Sequence, residues 1–333
     1  MYTRDDLQTM QGWPLERKIL VTQTRIMEWY MRFNGQVYVA FSGGKDSTVL
    51  LDLARRIYPD IPAMFADTGL EYPEIREFVK SKENITIVRP EMNFKQVIAK
   101  YGYPVASKEL SIKIQYAKRG AEWAKKYVDG SAVDTEGRPS RYAVSKRWLK
   151  LMDAPFEVSA YCCEVMKKRP ANKYAKETGR KPIVGTMAAE SMIREQAWMR
   201  TGCNAYDGKV QKSSPMSFWT EQDVLQYIKK FNVPYCSVYG DIVPTGEKGY
   251  NPMTGEEFDF LKTTGCDRTG CMFCMFGCHL EKKPNRFQRL RQTHPRQYEY
   301  CIGGGEMVDG KWLPNKDGLG LGKVLDYIGV KYD

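Results

Sequence analysis

Short apolar runs alternate with amphipathic segments over much of this chain. Runs rich in β-branched and aromatic residues, typical of buried strands, occur at residues 37–41, 61–66, 85–88 and 182–185. Between them, residues 48–56 and 71–82 are apolar at helical spacing. Repeated strand–helix alternation with short turns predicts an α/β fold with a doubly wound, mostly parallel sheet.

The remaining segments predict three regions. Residues 1–35 form a helical lead-in, residues 36–240 an α/β domain, and residues 241–333 a cysteine-rich C-terminal region. Further helices are expected at residues 164–178 and 220–231, and the Gly-, Pro- and Thr-rich residues 240–260 are expected to form a loop. The pattern changes at residues 107–150, which we interpret as a helical insertion in the α/β domain.

A glycine turn joins the first strand to the first helix of the alternating region. Ser42-Gly43-Gly44-Lys45-Asp46-Ser47 follows the strand directly. Such a turn directs backbone N–H groups and a helix N-terminus at a phosphate, and Lys45 adds a positive charge. The Walker spacing is absent. The turn resembles the PP-loop of the ATP pyrophosphatases, which split ATP into AMP and pyrophosphate.

Asp67-Thr68-Gly69 ends the second strand, so it is expected at the same edge of the sheet as the glycine turn. Both segments are therefore assigned to a single nucleotide site.

Charge indicates anionic partners. The 333-residue chain has a net charge of +11, and residues 107–150 hold eleven Lys and Arg against five Asp and Glu, with Trp123, Tyr127, Tyr142 and Trp148 interleaved. This surface is either a solvated helical face or a site for a nucleic acid. No apolar run has the length of a membrane span and no signal peptide is recognised, so a cytoplasmic location without a membrane partner is expected.

The cysteines are unevenly spaced. Cys162 and Cys163 are adjacent, and Cys271-x-x-Cys274 has a spacing that lets two thiolates bind one metal or cluster. Four thiolates suit either a [4Fe–4S] cluster or a zinc ion. The adjacent pair of cysteines favours the iron–sulfur cluster, and zinc remains the alternative. Cys266, Cys278 and Cys301 remain candidate ligands or nucleophiles, whereas Cys203 and Cys236 are expected to be buried.

Taken together, these motifs resemble the iron–sulfur-bearing, phosphoadenosine-phosphosulfate (PAPS) reductase-like branch of the adenine-nucleotide α-hydrolase superfamily. The resemblance is carried by residues 42–47, 65–69 with 72–74, Cys162-Cys163 with Lys167, Cys271 with Cys274, 185–191 with Arg194, and 219–224 with Tyr227. It implies a PP-loop fold of the HUP type.

The resemblance also implies site residues and cofactors. ATP and Mg²⁺ would bind at Ser42, Gly43, Gly44, Lys45, Asp46, Ser47, Asp67 and Gly69, with Lys45, Asp46 and Arg194 as the catalytic set. Asp46 is expected to hold Mg²⁺ and Arg194 to clamp phosphate. Cys162, Cys163, Cys271 and Cys274 would hold the cluster.

Departures from the family pattern argue against sulfonucleotide reduction. Met166, Met187 and Ala189 replace charged residues that help bind the sulfonucleotide, and residues 328–333 lack the reductases' tail cysteine. The preferred hypothesis is an ATP-dependent, AMP-forming enzyme that activates DNA or tRNA for sulfur incorporation, with a cysteine desulfurase or another sulfur donor as partner. The alternatives are a PAPS or adenosine-phosphosulfate reductase that releases sulfite, for which Cys301 or another thiol would be the nucleophile, and a non-catalytic nucleotide- or nucleic-acid-binding component.

Overall fold

A computed structural model describes residues 2–208 and 211–333. In the first half of the chain its helices and strands are α1 (Arg4–Gln11), α2 (Leu15–Arg32), β1 (Val37–Ala40), α3 (Lys45–Arg55), β2 (Ala63–Ala66), α4 (Pro73–Lys80), β3 (Ile85–Val88), α5 (Phe94–Tyr101), α6 (Lys108–Lys118), α7 (Glu122–Val128), α8 (Lys146–Leu149) and α9 (Tyr161–Cys163).

In the second half they are α10 (Arg169–Thr178), β4 (Lys181–Val184), α11 (Met192–Thr201), β5 (Asn204–Ala205), β6 (Lys212–Ser213), α12 (Glu221–Phe231), β7 (Ile242–Tyr250), β8 (Glu257–Thr263), α13 (Arg286–Thr293), α14 (Pro295–Ile302), β9 (Glu306–Val308), β10 (Lys311–Leu313) and α15 (Leu321–Ile328). A π-helical turn, Glu164–Lys168, joins α9 to α10.

The chain divides into two compact units. The first comprises Met1–Asp67, Glu71–Arg89 and Ala171–Thr269, and the second comprises Thr68–Leu70, Pro90–Pro170 and Gly270–Asp333. The region boundaries expected from the sequence, at residues 35, 107, 150 and 240, remain predictions.

The first unit is built on a six-stranded sheet of order β3-β2-β1-β4-β6-β5. All neighbouring pairs are parallel except β5 with β6. The α/β class and the mostly parallel sheet predicted from the sequence are therefore confirmed. The chain proceeds to one side of β1 through β2 and β3 and then returns to β4 on the other side. This reversal creates a switch point between β1 and β4, where ligands of such sheets bind.

Apolar side chains of the sheet and its helices form the core of the first unit. Val37, Val39 and Phe41 are buried against Leu50 of α3 and Ile183 of β4. Burial of such β-branched and aromatic residues on both faces of a central strand explains the continuous apolar runs in the sequence. Cys203 and Cys236 lie in this core, as expected.

The expectation of a loop over residues 240–260 was wrong, because β7 and β8 form an antiparallel hairpin there. Its irregularity lies between Pro244 and Lys248, and Gly246 and Gly255 have positive φ angles of 90° and 72°. Glycine and proline therefore accommodate a bulge and a turn within the hairpin.

The second unit is mainly helical, with a small hairpin of β9 and β10. Gly102 closely approaches the chain at Glu157, where an added Cβ would lie 2.4 Å from a backbone atom. Tyr103 is fully buried in this unit, and its hydroxyl donates a hydrogen bond to the Leu319 carbonyl at 2.9 Å. None of the helices in the described ranges is long and apolar enough to cross a membrane.

Candidate nucleotide site and cysteine cavity

The glycine turn lies between β1 and α3, at the switch point of the sheet. Gly43 has a φ of 74°, and a Cβ there would lie 2.8 Å from Ile75 Cγ2, so conformation and packing both require glycine. Gly44 is the N-cap of α3 and, being glycine, has no side chain to cap the helix. Its first N–H groups and helix dipole therefore favour an anion at this position.

Hydrogen bonds within the turn fix its shape. The Ser42 and Ser47 hydroxyls lie 3.0 Å apart, and Ser47 Oγ donates to the Gly44 carbonyl at 2.9 Å. These bonds hold residues 42–47 in one turn conformation.

Lys45 is buried at the start of α3 and has several partners. Its Nζ forms an ion pair with Glu221 at 2.7 Å and donates to the Asp267 carbonyl. Its backbone N–H donates to the Tyr239 hydroxyl at 3.2 Å, and that hydroxyl lies 2.5 Å from Thr269 Oγ1. The segment before Thr269 is consequently bonded to the glycine turn.

Asp46 has a buried carboxylate oxygen, Oδ1, with no hydrogen-bond partner among the described residues. Burial raises the pKa of Asp46, while the charges of Lys45, Arg268 and Arg194 oppose that rise. An unpaired buried carboxylate is unfavourable, and a bound cation would satisfy it. The donor set therefore fits Mg²⁺ beside a polyphosphate.

Two arginines share a carboxylate next to this turn. Arg194 of α11 pairs with Glu190, and Arg268 Nη2 lies 3.8 Å from the same side chain. Burial lowers the pKa of Arg194, with the charge of Arg268 acting in the same direction. Two guanidinium groups and Lys45 thus provide positive charge suited to a polyphosphate.

Asp67 lies at the end of β2 and pairs with Arg76 at 3.0 Å and Arg89 at 3.3 Å. This ion-pair cluster is an alternative to the ribose or metal contact expected for Asp67. Gly69 belongs to the second unit and has a φ of 75°. The roles of both residues remain predictions.

The four cysteines predicted as cluster ligands line one cavity of the second unit, whose other walls are Leu70, Phe94, Pro104, Met166 and Lys167. Cys162 and Cys163 lie at the start of the helix that continues through the π-helical turn. Cys274 belongs to a turn in which its N–H donates to the Cys271 carbonyl at 3.1 Å. The donor set fits a thiolate-bound cluster, although no three metal-binding side chains in the described ranges converge as an ion site.

The adjacent thiols differ in acidity. A hydrogen bond with Cys163, together with burial, raises the pKa of Cys162. The same bond lowers the pKa of Cys163 to about 6, with the charges of Lys108 and Lys167 adding to this effect against the influence of burial. Positive charge near this thiol favours the thiolate that a cluster requires.

Of the other candidate cysteines, Cys278 and Cys301 are less suited to chemistry. Cys278 is buried, which raises its pKa to about 12, and Cys301 is fully buried with a pKa raised well above its ordinary value. His279, which follows Cys278, packs edge-on against Trp148 with 5.0 Å between ring centroids.

A family model described as the phosphoadenosine phosphosulfate reductase domain matches residues 36–121 and 122–276, which is more than half of the chain. The chain belongs to the PAPS reductase family. Its relatives include an adenosine 5'-phosphosulfate reductase of Staphylococcus haemolyticus, 24% identical over 78% of this chain and 87% of the relative. They also include an uncharacterised protein of Methanocaldococcus jannaschii, 30% identical over 86% of this chain and 52% of the relative. The chain thus spans about half of that archaeal relative.

Solved structures similar to this PAPS reductase family member have low TM-scores. A PAPS reductase from Candida auris has a TM-score of 0.38 at 17% identity, covering 71% of this chain and 91% of that chain. The U34-tRNA thiolase NcsA from Methanococcus maripaludis, with its [4Fe-4S] cluster, has a TM-score of 0.33 at 16% identity, covering 66% of each chain. Scores below 0.5 carry no structural argument.

Sequence reasoning did not identify Arg268, Glu190, Glu221, Tyr239 and Thr269 as neighbours of the glycine turn. Glu190 and Arg194 belong to the family block at residues 185–194, which was a usable signal for Glu190. Arg268 and Thr269 lie between Cys266 and Cys271, and no motif in that segment indicates a phosphate site. Their proximity to Asp46 and Lys45 depends on the fold.

Proposed function

We propose that this PAPS reductase family member is an ATP-dependent enzyme that forms AMP and pyrophosphate and activates a nucleic acid for sulfur incorporation. Oδ1 of Asp46, which has no hydrogen-bond partner among the described residues, lies beside Lys45, Arg194 and Arg268 at the start of α3 and carries the proposal. Such a combination of cationic groups and one carboxylate suits a polyphosphate bound together with a divalent cation.

In the proposed reaction, an oxygen of the nucleic acid attacks the α-phosphorus of ATP, and the bond to pyrophosphate breaks. The glycine turn would bind phosphate oxygens through its N–H groups, and the Ser42 and Ser47 hydroxyls would exchange their bonds within the turn for bonds to phosphate. Lys45 and the two arginines would offset charge on the departing pyrophosphate, while Asp46 would hold Mg²⁺, whose charge would add to this effect. A sulfur nucleophile then displaces AMP and takes its place on the nucleic acid.

The sulfur branch of the proposal rests on the cysteine cavity. Cys162, Cys163, Cys271 and Cys274 would hold a [4Fe–4S] cluster, with zinc as the alternative. A bound cluster supplies iron that can bind sulfide. A cysteine desulfurase or another sulfur donor would provide the sulfur.

Sulfonucleotide reduction is the second candidate, because relatives in this family are named as reductases. That reaction needs an accessible thiol to attack the sulfonyl sulfur. Cys301 is completely buried, and its raised pKa keeps it protonated, so it is unsuited to this role.

The test measures AMP and pyrophosphate release by anaerobically purified protein given ATP alone, with tRNA or with DNA. A parallel reaction supplies PAPS or adenosine phosphosulfate with a dithiol reductant and measures sulfite. We expect AMP release stimulated by one nucleic acid and abolished in Asp46→Asn, while Asp60→Asn, a change of an exposed aspartate, keeps wild-type activity.

Sulfite release without ATP turnover would replace the proposal with the reductase reaction. If the protein binds ATP but releases neither AMP nor sulfite, it would instead be a non-catalytic nucleotide- or nucleic-acid-binding component.

A further inference from the structure

The second unit contains a pocket of about 540 Å³ that the nucleotide site does not use. Residues of α6 and of the helix beginning at Tyr161 line it: Lys108, Ile112, Gln115, Tyr116, Cys163 and Lys168, among others. Its volume falls in the range of small-molecule sites.

Gln115 is the most informative residue of this pocket. Its side chain is only 2% exposed, and neither its Nε2 nor its Oε1 has a hydrogen-bond partner among the described residues. Buried amides are normally paired, because an unpaired donor and acceptor are unfavourable. Gln115 belongs to the wall of the pocket, and its unpaired donor and acceptor match the paired donor and acceptor on the edge of a nucleobase.

Two aromatic rings, Tyr116 and Tyr161, also line the pocket. Tyr161 stacks on Tyr101 with 5.0 Å between ring centroids and 14° between planes. Tyr116 also packs against the exposed Trp123 at 5.4 Å. Such rings provide the flat surfaces on which bases of single-stranded nucleic acids stack.

The charges at the pocket are mainly positive. Lys108, Lys168 and Arg169 line it together with a single carboxylate, Glu164, which pairs with Lys168 at 3.3 Å. Positive charge beside stacked rings suits the phosphate that accompanies a base. Lys113 does not contribute, because it is buried under Tyr127 and bonded to the Tyr142 carbonyl.

Cys163 lines both this pocket and the cysteine cavity. A base bound beside Gln115 would therefore lie next to the cysteines assigned to the sulfur chemistry.

We propose that the pocket binds one nucleobase and its phosphate in a single-stranded nucleic acid. The inference deepens the proposed function, on which it rests, because it names where the acceptor nucleotide binds.

The experiment measures binding without ATP, by fluorescence anisotropy of labelled RNA and DNA strands of about 15 nucleotides. A strand of the same length with abasic sugars separates base recognition from phosphate attraction, and AMP and UMP serve as free competitors. The full-length protein is compared with Gln115→Met and Tyr161→Leu, and with the controls Gln292→Met and Tyr250→Leu, which change exposed residues outside the pocket.

We expect Tyr161→Leu to weaken binding by about 5- to 150-fold and Gln115→Met by about 10-fold, with the controls unchanged. Thermal stability should stay unchanged or rise in Gln115→Met, since the substitution removes an unpaired buried amide, whereas a structural glutamine would lower it. Whichever of the RNA and DNA strands binds more tightly identifies the class of nucleic acid that accepts the sulfur.

The base pocket would be overturned if the abasic strand bound as tightly as the strands that carry bases, or if both pocket variants bound as tightly as wild type. Competition by free AMP alone, with no competition from any unlabelled strand, would also overturn it. Because the assay contains no ATP, strand binding with no AMP release would refute the proposed function and leave the pocket standing. AMP release without strand binding in this assay would refute the base pocket and leave the proposed function standing.

Discussion

Replacing Asp46 with asparagine should affect stability and activity in opposite directions. Oδ1 of Asp46 is buried without a partner among the described residues, and burial raises the pKa of this carboxyl. Leaving such a group unsatisfied costs about 1–3 kcal/mol. Asparagine keeps an unpaired polar atom at this position but removes the buried charge, whose desolvation is the larger cost. We therefore expect Asp46→Asn to stabilise the ligand-free protein at neutral pH by about 1 kcal/mol, which corresponds to roughly 1–2 °C in Tm for a chain of this length.

The pH dependence gives the prediction a second readout. Because the pKa of Asp46 is raised in the folded protein, the native state binds this proton more tightly than the unfolded chain does. The contribution of Asp46 to stability is therefore most favourable below its ordinary value of 3.8 and is lost as the pH rises through the folded pKa. Asp46→Asn should remove this part of the pH profile.

Urea unfolding across a pH series measures the first effect, and AMP release from ATP measures the second. The substitution should lower the rate of AMP formation by about 100-fold or more, since it removes the carboxylate that would hold Mg²⁺. A variant less stable than wild type at neutral pH, or one that retains full ATP cleavage, would refute the reasoning. Mg²⁺ with ATP should stabilise wild type more than the variant.

Three further predictions follow from the two sites. Arg268→Ala should lower the rate of AMP formation by about 10- to 100-fold, because it removes positive charge near the phosphates; steady-state kinetics measures this. Cys271→Ala should lose iron and sulfide, measured after anaerobic purification, because it removes one of the thiols that line the cavity. Gly43→Ala should destabilise the protein by about 2 kcal/mol or more in urea unfolding, because of the positive φ and the contact of its Cβ with Ile75.

Each of these changes has a matched control. Arg296→Ala removes an exposed arginine of α14 and should leave kinetics unchanged. Cys203→Ala changes a cysteine of the core and should leave iron content unchanged, whereas one equivalent of zinc without iron in the wild type would contradict the cluster. Gly137→Ala tests the backbone alone, since Gly137 has a φ of 76° and open space around its Cβ position, so equal losses at both glycines would contradict the proposed clash.

The amino-acid sequence by itself determined the α/β class, the strands β1 to β4 and the position of the glycine turn. These features depend on local patterns: apolar runs that can be buried on both faces, and a glycine turn in which Gly43 has a positive φ that is unfavourable for other residues. The spacing of the cysteines in the sequence likewise identified the candidate cluster ligands, but it did not show that all four line one cavity.

Only the tertiary structure decided which distant residues meet. Arg268, Tyr239 and Glu221 are remote in sequence from Lys45 and Asp46, so no local pattern relates them, and chain folding alone brings them to the end of β1. The unpaired amide of Gln115 had no sequence signal either, because a glutamine in a helix is ordinarily solvated and only burial makes its missing partners costly. Turns and motifs made of neighbouring residues can thus be identified from the amino-acid sequence. The burial and charge environment of a side chain instead arise from packing between segments far apart in the chain.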